Sequence, residues 1–236
     1  MDLEVGPRII IRFSNGVYIT ESVLWGIIVG IALIIFAFVS TRKLQRYPKG
    51  LQAYAELIVE TIYNFVKTNM GARNLGFAPY IGTLFLWLLI CNALGLLGWR
   101  APTADMNFTF AMGILVFFLI QVSSIRAKGT SGYLRHFAEP YIFMVPIKIM
   151  EEFTFPVSLS FRIFGNILAG VIVMELIMHL LEYLSTGVIG LPIPLLQIGI
   201  PLPLNAFFDI FEPVLQAFVF CMLTMAFISK ANASEH

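Results

Sequence analysis

Residues 145–183 read VPIKIMEEFTFPVSLSFRIFGNILAGVIVMELIMHLLEY, and the length of this apolar run decides the fold. As one helix, about 39 residues at ~1.5 Å each would run nearly 60 Å, roughly twice the ~30 Å hydrocarbon core of a bilayer. Such a helix must tilt steeply or break. Pro156, Gly165 and Gly170 are the places where it can bend, because neighbouring helices accommodate the freed backbone groups. Arg162 lies in the middle of the run and cannot shed its proton. Placing it near a bilayer centre costs about 2.5–3.5 kcal/mol on the gentlest scale, so something in the fold must compensate.

The rest of the chain agrees with a membrane setting. Of its 236 residues, 58% are hydrophobic and only 12% charged, far from the balance of a soluble domain. A net charge of +1, with the basic residues at segment ends, gives no surface for nucleic acid. Cys91 and Cys221 both fall in apolar runs, where a thiol packs as a small hydrophobe, so neither a disulfide nor a metal site is expected. Residues 1–21 are polar and mixed, without the short apolar core of a cleavable signal.

The expected fold is a single all-α integral membrane domain. It has three roughly upright transmembrane helices, an amphipathic surface helix and a long, steeply tilted helical hairpin in the C-terminal half. An external N-terminus, 1–21, leads into a span at 22–41, followed at once by Arg42, Lys43, Arg46 and Lys49. By the positive-inside rule that end is cytoplasmic. In 50–70, Leu51, Tyr54, Ile58, Ile62 and Phe65 recur at helical spacing among polar residues, the pattern of a helix lying on the membrane surface. Spans at 79–99 and 106–125 are joined by an external turn and closed inside by Arg126, Lys128 and Arg135. Residues 126–144 read as a cytoplasmic loop, 145–184 as the tilted helix with the arginine, and 205–230 as a tilted last helix whose cationic end returns to the cytoplasm.

Polar residues in the two long helices form clusters. The tilted helix starts near Glu151 and Glu152 and ends near Glu175, His179 and Glu182, with Arg162 between them. At the helical rise, Arg162 is about 15 Å from the level of Glu152 and about 20 Å from that of Glu175. Asn166 shares its face, whereas Glu175, His179 and Glu182 form a stripe on nearly the opposite one. The last helix enters from outside with Asp209 and Glu212 at the level of Glu175, and Gln216 two turns deeper. Intramembrane ionisable groups face a protein interior or a watery cavity, and often mark an ion pathway. Two vestibules follow: an external one near Glu175, His179, Asp209 and Glu212, and an internal one near Glu151 and Glu152, with Arg162 at the divide. Structural explanations exist for each residue. Headgroup solvation accounts for Glu151, Glu152 and Glu182, packing for His179, a helix start for Asp209, and a buried ion pair for Arg162.

Three motifs then carry a family resemblance. SLSFRIFGNILAG (158–170) resembles the arginine motif of subunit a of the F-type ATP synthases, PTADMNFT (102–109) its external turn, and LQAFVFCMLT (215–224) its last-helix motif, in the family's order and separation. The resemblance implies that Arg162 is the essential stator arginine, Asn166 its polar companion, and Gln216 the glutamine facing it. It places Asp209 at a polar position of the external half-channel. The chain departs from the family at Val171, where many members have glutamate; Glu175, one turn along the same face, is the candidate replacement, together with His179. Implied partners are a ring of c subunits, the b subunits of the peripheral stalk, membrane lipid, and a transported proton or sodium ion, in a bacterial plasma membrane. No cofactor is implied, and ATP chemistry is expected on other subunits, since a phosphate-binding glycine loop with its lysine is absent from the sequence. The alternatives from other classes are a secondary transporter binding an anion at Arg162, for which no matching halves are seen, and a membrane scaffold.

Glu175→Gln is expected to impair ion-driven ATP synthesis in membrane vesicles. Intact synthesis in that variant, alongside loss in Asp209→Asn, would remove Glu175 from the path.

Overall fold

A computed structural model describes residues 9–12, 18–42, 44–97, 99, 101–138, 141–188 and 196–232. Two short antiparallel strands, β1 (Ile9–Arg12) and β2 (Tyr18–Thr20), precede the helices; Ile9 pairs with Thr20 and Arg12 with Tyr18. This hairpin lies in the segment expected only as an external terminus. The helices are α1 (Glu21–Thr41), α2 (Leu51–Met70), α3 (Ala78–Ala93), α4 (Met106–Ala138), α5 (Val145–Glu182), the short α6 (Leu196–Gly199) and α7 (Pro201–Ala206), and α8 (Glu212–Asn232). Five stretches, built on α1, α3, α4, α5 and α8, are long and apolar enough to cross a membrane. The molecule is a multi-pass helical membrane protein.

Local chemistry sets several boundaries. The Thr20 hydroxyl accepts from the Val23 N–H at 3.4 Å and caps α1, with Glu21 favourably placed in the first turn. Helix α3 stops at Ala93, before the expected 99, and passes into a 3₁₀ turn, Leu94–Leu97. Around the following turn, the Thr103 hydroxyl donates to Asn92 Oδ1, and the Asp105 carboxylate accepts from the Asn107 N–H at 3.0 Å to start α4.

One expected loop is replaced by helix, and one expected long helix is found whole. The stretch 126–144, expected as a loop, is helical through Ala138. Its course changes at Gly129, whose φ of 74° is a conformation that costs glycine little and other residues more. As the tilted-helix expectation for 145–184 has it, α5 is one helix, uninterrupted at Pro156, Gly165 and Gly170 where a bend was possible. Pro156 is buried against α4, and the Ser160 hydroxyl lies 2.7 Å from the Pro156 carbonyl and 3.0 Å from the Thr109 carbonyl, within donating reach of both. Neighbouring packing thus supports the turn where the proline removes a backbone donor. Beyond α5 a π-helical turn, Tyr183–Val188, follows, and a second one, Phe207–Phe211, joins α7 to α8.

Packing is organised around α8 and α4. The buried core joins Val66 of α2, Ile81 and Leu88 of α3, Val116 of α4, Leu159 and Ile163 of α5, and Phe220 and Met225 of α8. Lipid is as apolar as these side chains, so burial alone does not drive helices together; close fit and interhelical hydrogen bonds do. The Trp87 indole donates to the Gly26 carbonyl at 3.0 Å, tying α3 to α1. Asn232 of α8 accepts from the Ser123 hydroxyl of α4 at 2.7 Å and donates to Asn74, beside α3, at 3.1 Å. Helix α2 packs through Ile62 against Gly82 of α3, and through Phe65 against Phe218 of α8, ring centroids 5.5 Å apart. Its outer positions, such as Tyr54 and Leu57, are exposed.

The tightest approach is between α4 and α5. A Cβ at Gly113 would stand 2.8 Å from the Pro156 carbonyl oxygen, which is backbone and cannot swing away. Gly113→Val is therefore expected to destabilise the purified membrane complex by about 1–3 kcal/mol. Thermal unfolding in detergent measures this, with Gly76→Ala as the control, since nothing lies within 4 Å of a Cβ there.

Candidate functional site

Helices α5 and α8 run antiparallel, and a ladder of contacts fixes their register. From one end to the other, Lys230 meets Glu151 at 3.2 Å, Phe227 packs in a tilted arrangement on Phe155 with centroids 3.8 Å apart, and Asn166 donates to Gln216 Oε1 at 3.2 Å. At the far end Gly170 lies against Phe208 and Glu212: a Cβ there would be 3.0 Å from the Phe208 ring and 3.6 Å from Glu212 Oε2. The missing side chain at Gly170 is what lets the two chains approach at that level.

Arg162 projects from α5 one turn before Asn166, at an exposed position. Among the described residues no hydrogen bond or ion pair engages it. Its helical neighbours Ile163 and Leu159 are buried at 1% exposure each, so α5 turns one face to the bundle and presents the guanidinium at the margin. Of the five apolar spans α5 is the least enclosed, with 11% of its most apolar stretch buried against 39% for α8. Asn166 is exposed beside Arg162, whereas Gln216 is buried at 5% and its Nε2 finds no acceptor among the described residues. A buried donor left unpaired is costly.

The outer acidic group is less tightly joined. Glu212 opens α8, half-buried beside Gly170, and Asp209 lies in the π-helical turn just before it, its side chain outside the described residues. Glu175 is half-buried and makes no hydrogen bond or ion pair among the described residues. His179 Nδ1 is 3.8 Å from Glu182 on an exposed surface. Gln197 of α6 donates to the Met178 carbonyl at 2.9 Å, so the returning chain folds over this end of α5.

At the opposite end, Glu151 and Glu152 line a cavity of about 270 Å³ between α4, α5 and α8. Lys128, Lys148 and Lys230 also border it, with Phe155 and Phe227 forming its deeper wall. Glu152 accepts from Gln121 Nε2 at 2.7 Å, and the Tyr133 hydroxyl donates to Gln121 Oε1 at 2.6 Å. Reading the sequence did not single out Gln121 or Tyr133. Gln121 is an amide that interrupts the apolar run 110–122, which was a usable signal; Tyr133, in a polar stretch, offered none.

The comparisons with known proteins agree in kind. The family described as "ATP synthase A chain" matches residues 23–229. The chain is 33% identical over 228 residues to "ATP synthase subunit a" of Lysinibacillus sphaericus, covering 92% of this chain and 93% of that protein. It is 34% identical over 218 residues to the protein of the same name from Oceanobacillus iheyensis, covering 87% and 88%. It is also 34% identical over 216 residues to "ATP synthase subunit a, chloroplastic" of Stigeoclonium helveticum, covering 86% and 81%. The chain belongs to the ATP synthase A chain family.

The Glu151–Lys230 pair is the outermost rung of the ladder, with side chains 60% and 70% exposed. Water screens such a pair, so Lys230→Ala is expected to cost no more than about 1 kcal/mol of stability. A thermal shift in detergent comparable to that of Gly113→Val would contradict this ranking.

Proposed function

We propose that this chain is the ion-translocating stator subunit of an F-type ATP synthase. In this reading α5 and α8 lie steeply tilted beside a ring of c subunits. Two offset half-channels carry protons or sodium ions to and from the carboxylates of that ring. The supporting observation is Arg162: a permanent cation midway along a 38-residue helix, exposed at the margin of the least enclosed span, with no internal counter-charge among the described residues. At ~1.5 Å per residue such a helix is about 57 Å long, so in a ~30 Å core it must lean over heavily.

Each group then has a physical task. A fixed guanidinium favours the ionised form of an approaching carboxylate, lowering its proton affinity, and so promotes ion release. It also repels a hopping cation, so the two access paths cannot join and leak. Asn166 and Gln216, hydrogen-bonded to each other, brace the α5–α8 seam at this level and offer polar atoms to the arriving site. Glu175, His179, Asp209 and Glu212 line the outer access, and Glu151 and Glu152, on the cavity, the inner one. By the positive-inside rule, the runs of lysine and arginine support a cytoplasmic cavity and C-terminus and an external N-terminus, and the likeness to the bacterial relatives supports a bacterial plasma membrane. The b subunits of a peripheral stalk hold the chain still while the ring turns. Work of about 2.3 kcal/mol per charge per 100 mV is then directed into rotation, and ATP chemistry takes place on other subunits.

Removing the guanidinium tests the reading. Arg162→Ala in membrane vesicles is expected to abolish coupled ATP synthesis and ATP-driven pumping, while passive ion exchange through the membrane sector persists or rises. Synthesis at the unmodified rate would overturn the proposal, as would failure of the chain to co-purify with a ring of acidic helices.

A further inference from the structure

The bend at Gly129 has a geometric effect on the inner cavity. In a straight helix Tyr133 would lie about 18 Å along the axis from Gln121, beyond reach of a side-chain hydrogen bond. The positive φ of Gly129 folds the final part of α4 back, so that the Tyr133 hydroxyl comes 2.6 Å from Gln121 Oε1 and 3.5 Å from Glu152 Oε2. Phe137, one turn on, packs edge-on against Tyr133 at 5.1 Å and lines the same cavity as Gln121 and Glu152. The folded-back segment is thus one wall of the cavity.

We propose that Gln121 and Tyr133 are positioning residues for ion transfer at Glu152. This rests on the reading of Glu152 as the carboxylate of the inner access path. The Gln121 amide holds Glu152 Oε2 at 2.7 Å, and Tyr133 holds the amide in turn, which fixes both the orientation of the glutamine and the rotamer of the carboxylate. Donation from Tyr133 into the amide oxygen polarises the amide N–H toward Glu152, so the two bonds strengthen each other. With Oε2 engaged, Oε1 has no partner among the described residues and is the atom left to exchange an ion with the cavity. A proton taken up there leaves hydroxide or buffer base in the cavity water, and its release restores the carboxylate; a sodium ion would exchange without bond making. The element that makes this arrangement possible is Gly129, far from Arg162 in the helix network.

The test uses the whole complex in membrane vesicles stripped of its catalytic head. It reads passive ion flux per assembled complex, with assembly quantified by immunoblot, so that a merely structural loss drops out. Tyr133→Phe keeps the ring against Phe137 and removes only the hydroxyl; Gln121→Met keeps the length and removes the amide. Gln121→Met, which loses a hydrogen bond to a charged group, is expected to lower flux per complex roughly tenfold or more, and Tyr133→Phe, which loses one to a neutral amide, by about three- to tenfold. Neither is expected to lower it further in a Glu152→Gln background. Normal flux in Glu152→Gln itself would sink the assignment of Glu152, and this proposal with it. Reduced flux in Glu152→Gln with normal flux in both other variants, or with losses that multiply, would overturn the positioning role alone.

Discussion

The length of α5 is the constraint on which the architecture depends. In the proposed reading, a continuous apolar helix nearly twice as long as the hydrocarbon is thick leans over and exposes a flank. Its middle is then far from either aqueous surface along the helix axis, and a charge placed there cannot be relieved by a short side-chain excursion. Arg162 sits at that point and at the margin of the bundle. The inner face of the same helix supplies the clamp: Pro156, Leu159, Ser160 and Ile163 are buried against α4 and the core, so the guanidinium is held at a fixed height.

What holds the helices in register is mainly polar, as expected where solvent and side chains are equally apolar. The Ser160, Trp87, Asn232 and Asn166 contacts each join two elements distant in sequence, and each satisfies a group that lipid would leave bare. Close approaches at Gly113 and Gly170 do the complementary work, bringing backbones near enough for those short side chains to reach. The one contact in the α5–α8 ladder that is charged, Glu151 with Lys230, lies at its wet end, where it contributes least.

The five apolar spans are legible in the sequence because length and hydropathy are properties of contiguous residues. The start of α4 at Met106 and the surface pattern of α2 belong to the same kind of local information. The continuity of α5 through Pro156 is not local, since it depends on α4 standing against the proline turn. The helical course after Gly129 is hidden for a related reason: a glycine amid polar residues reads as a loop, and nothing nearby indicates that the chain resumes a helix and doubles back. Arg162, Asn166 and Gln216 could be singled out from spacing and family likeness. Gln121 and Tyr133 could not be paired without the bend, because their separation in sequence forbids the contact in any regular helix.

Helix α8 is the most enclosed of the five spans and comes after the other four in chain order. Ile81, Asn74, Ser123, Glu151 and Asn166 all take partners from it, so without α8 the other spans would stand around an empty slot. α8 is therefore the keystone of the bundle. A form of the chain without α8 would keep an open, polar-lined furrow.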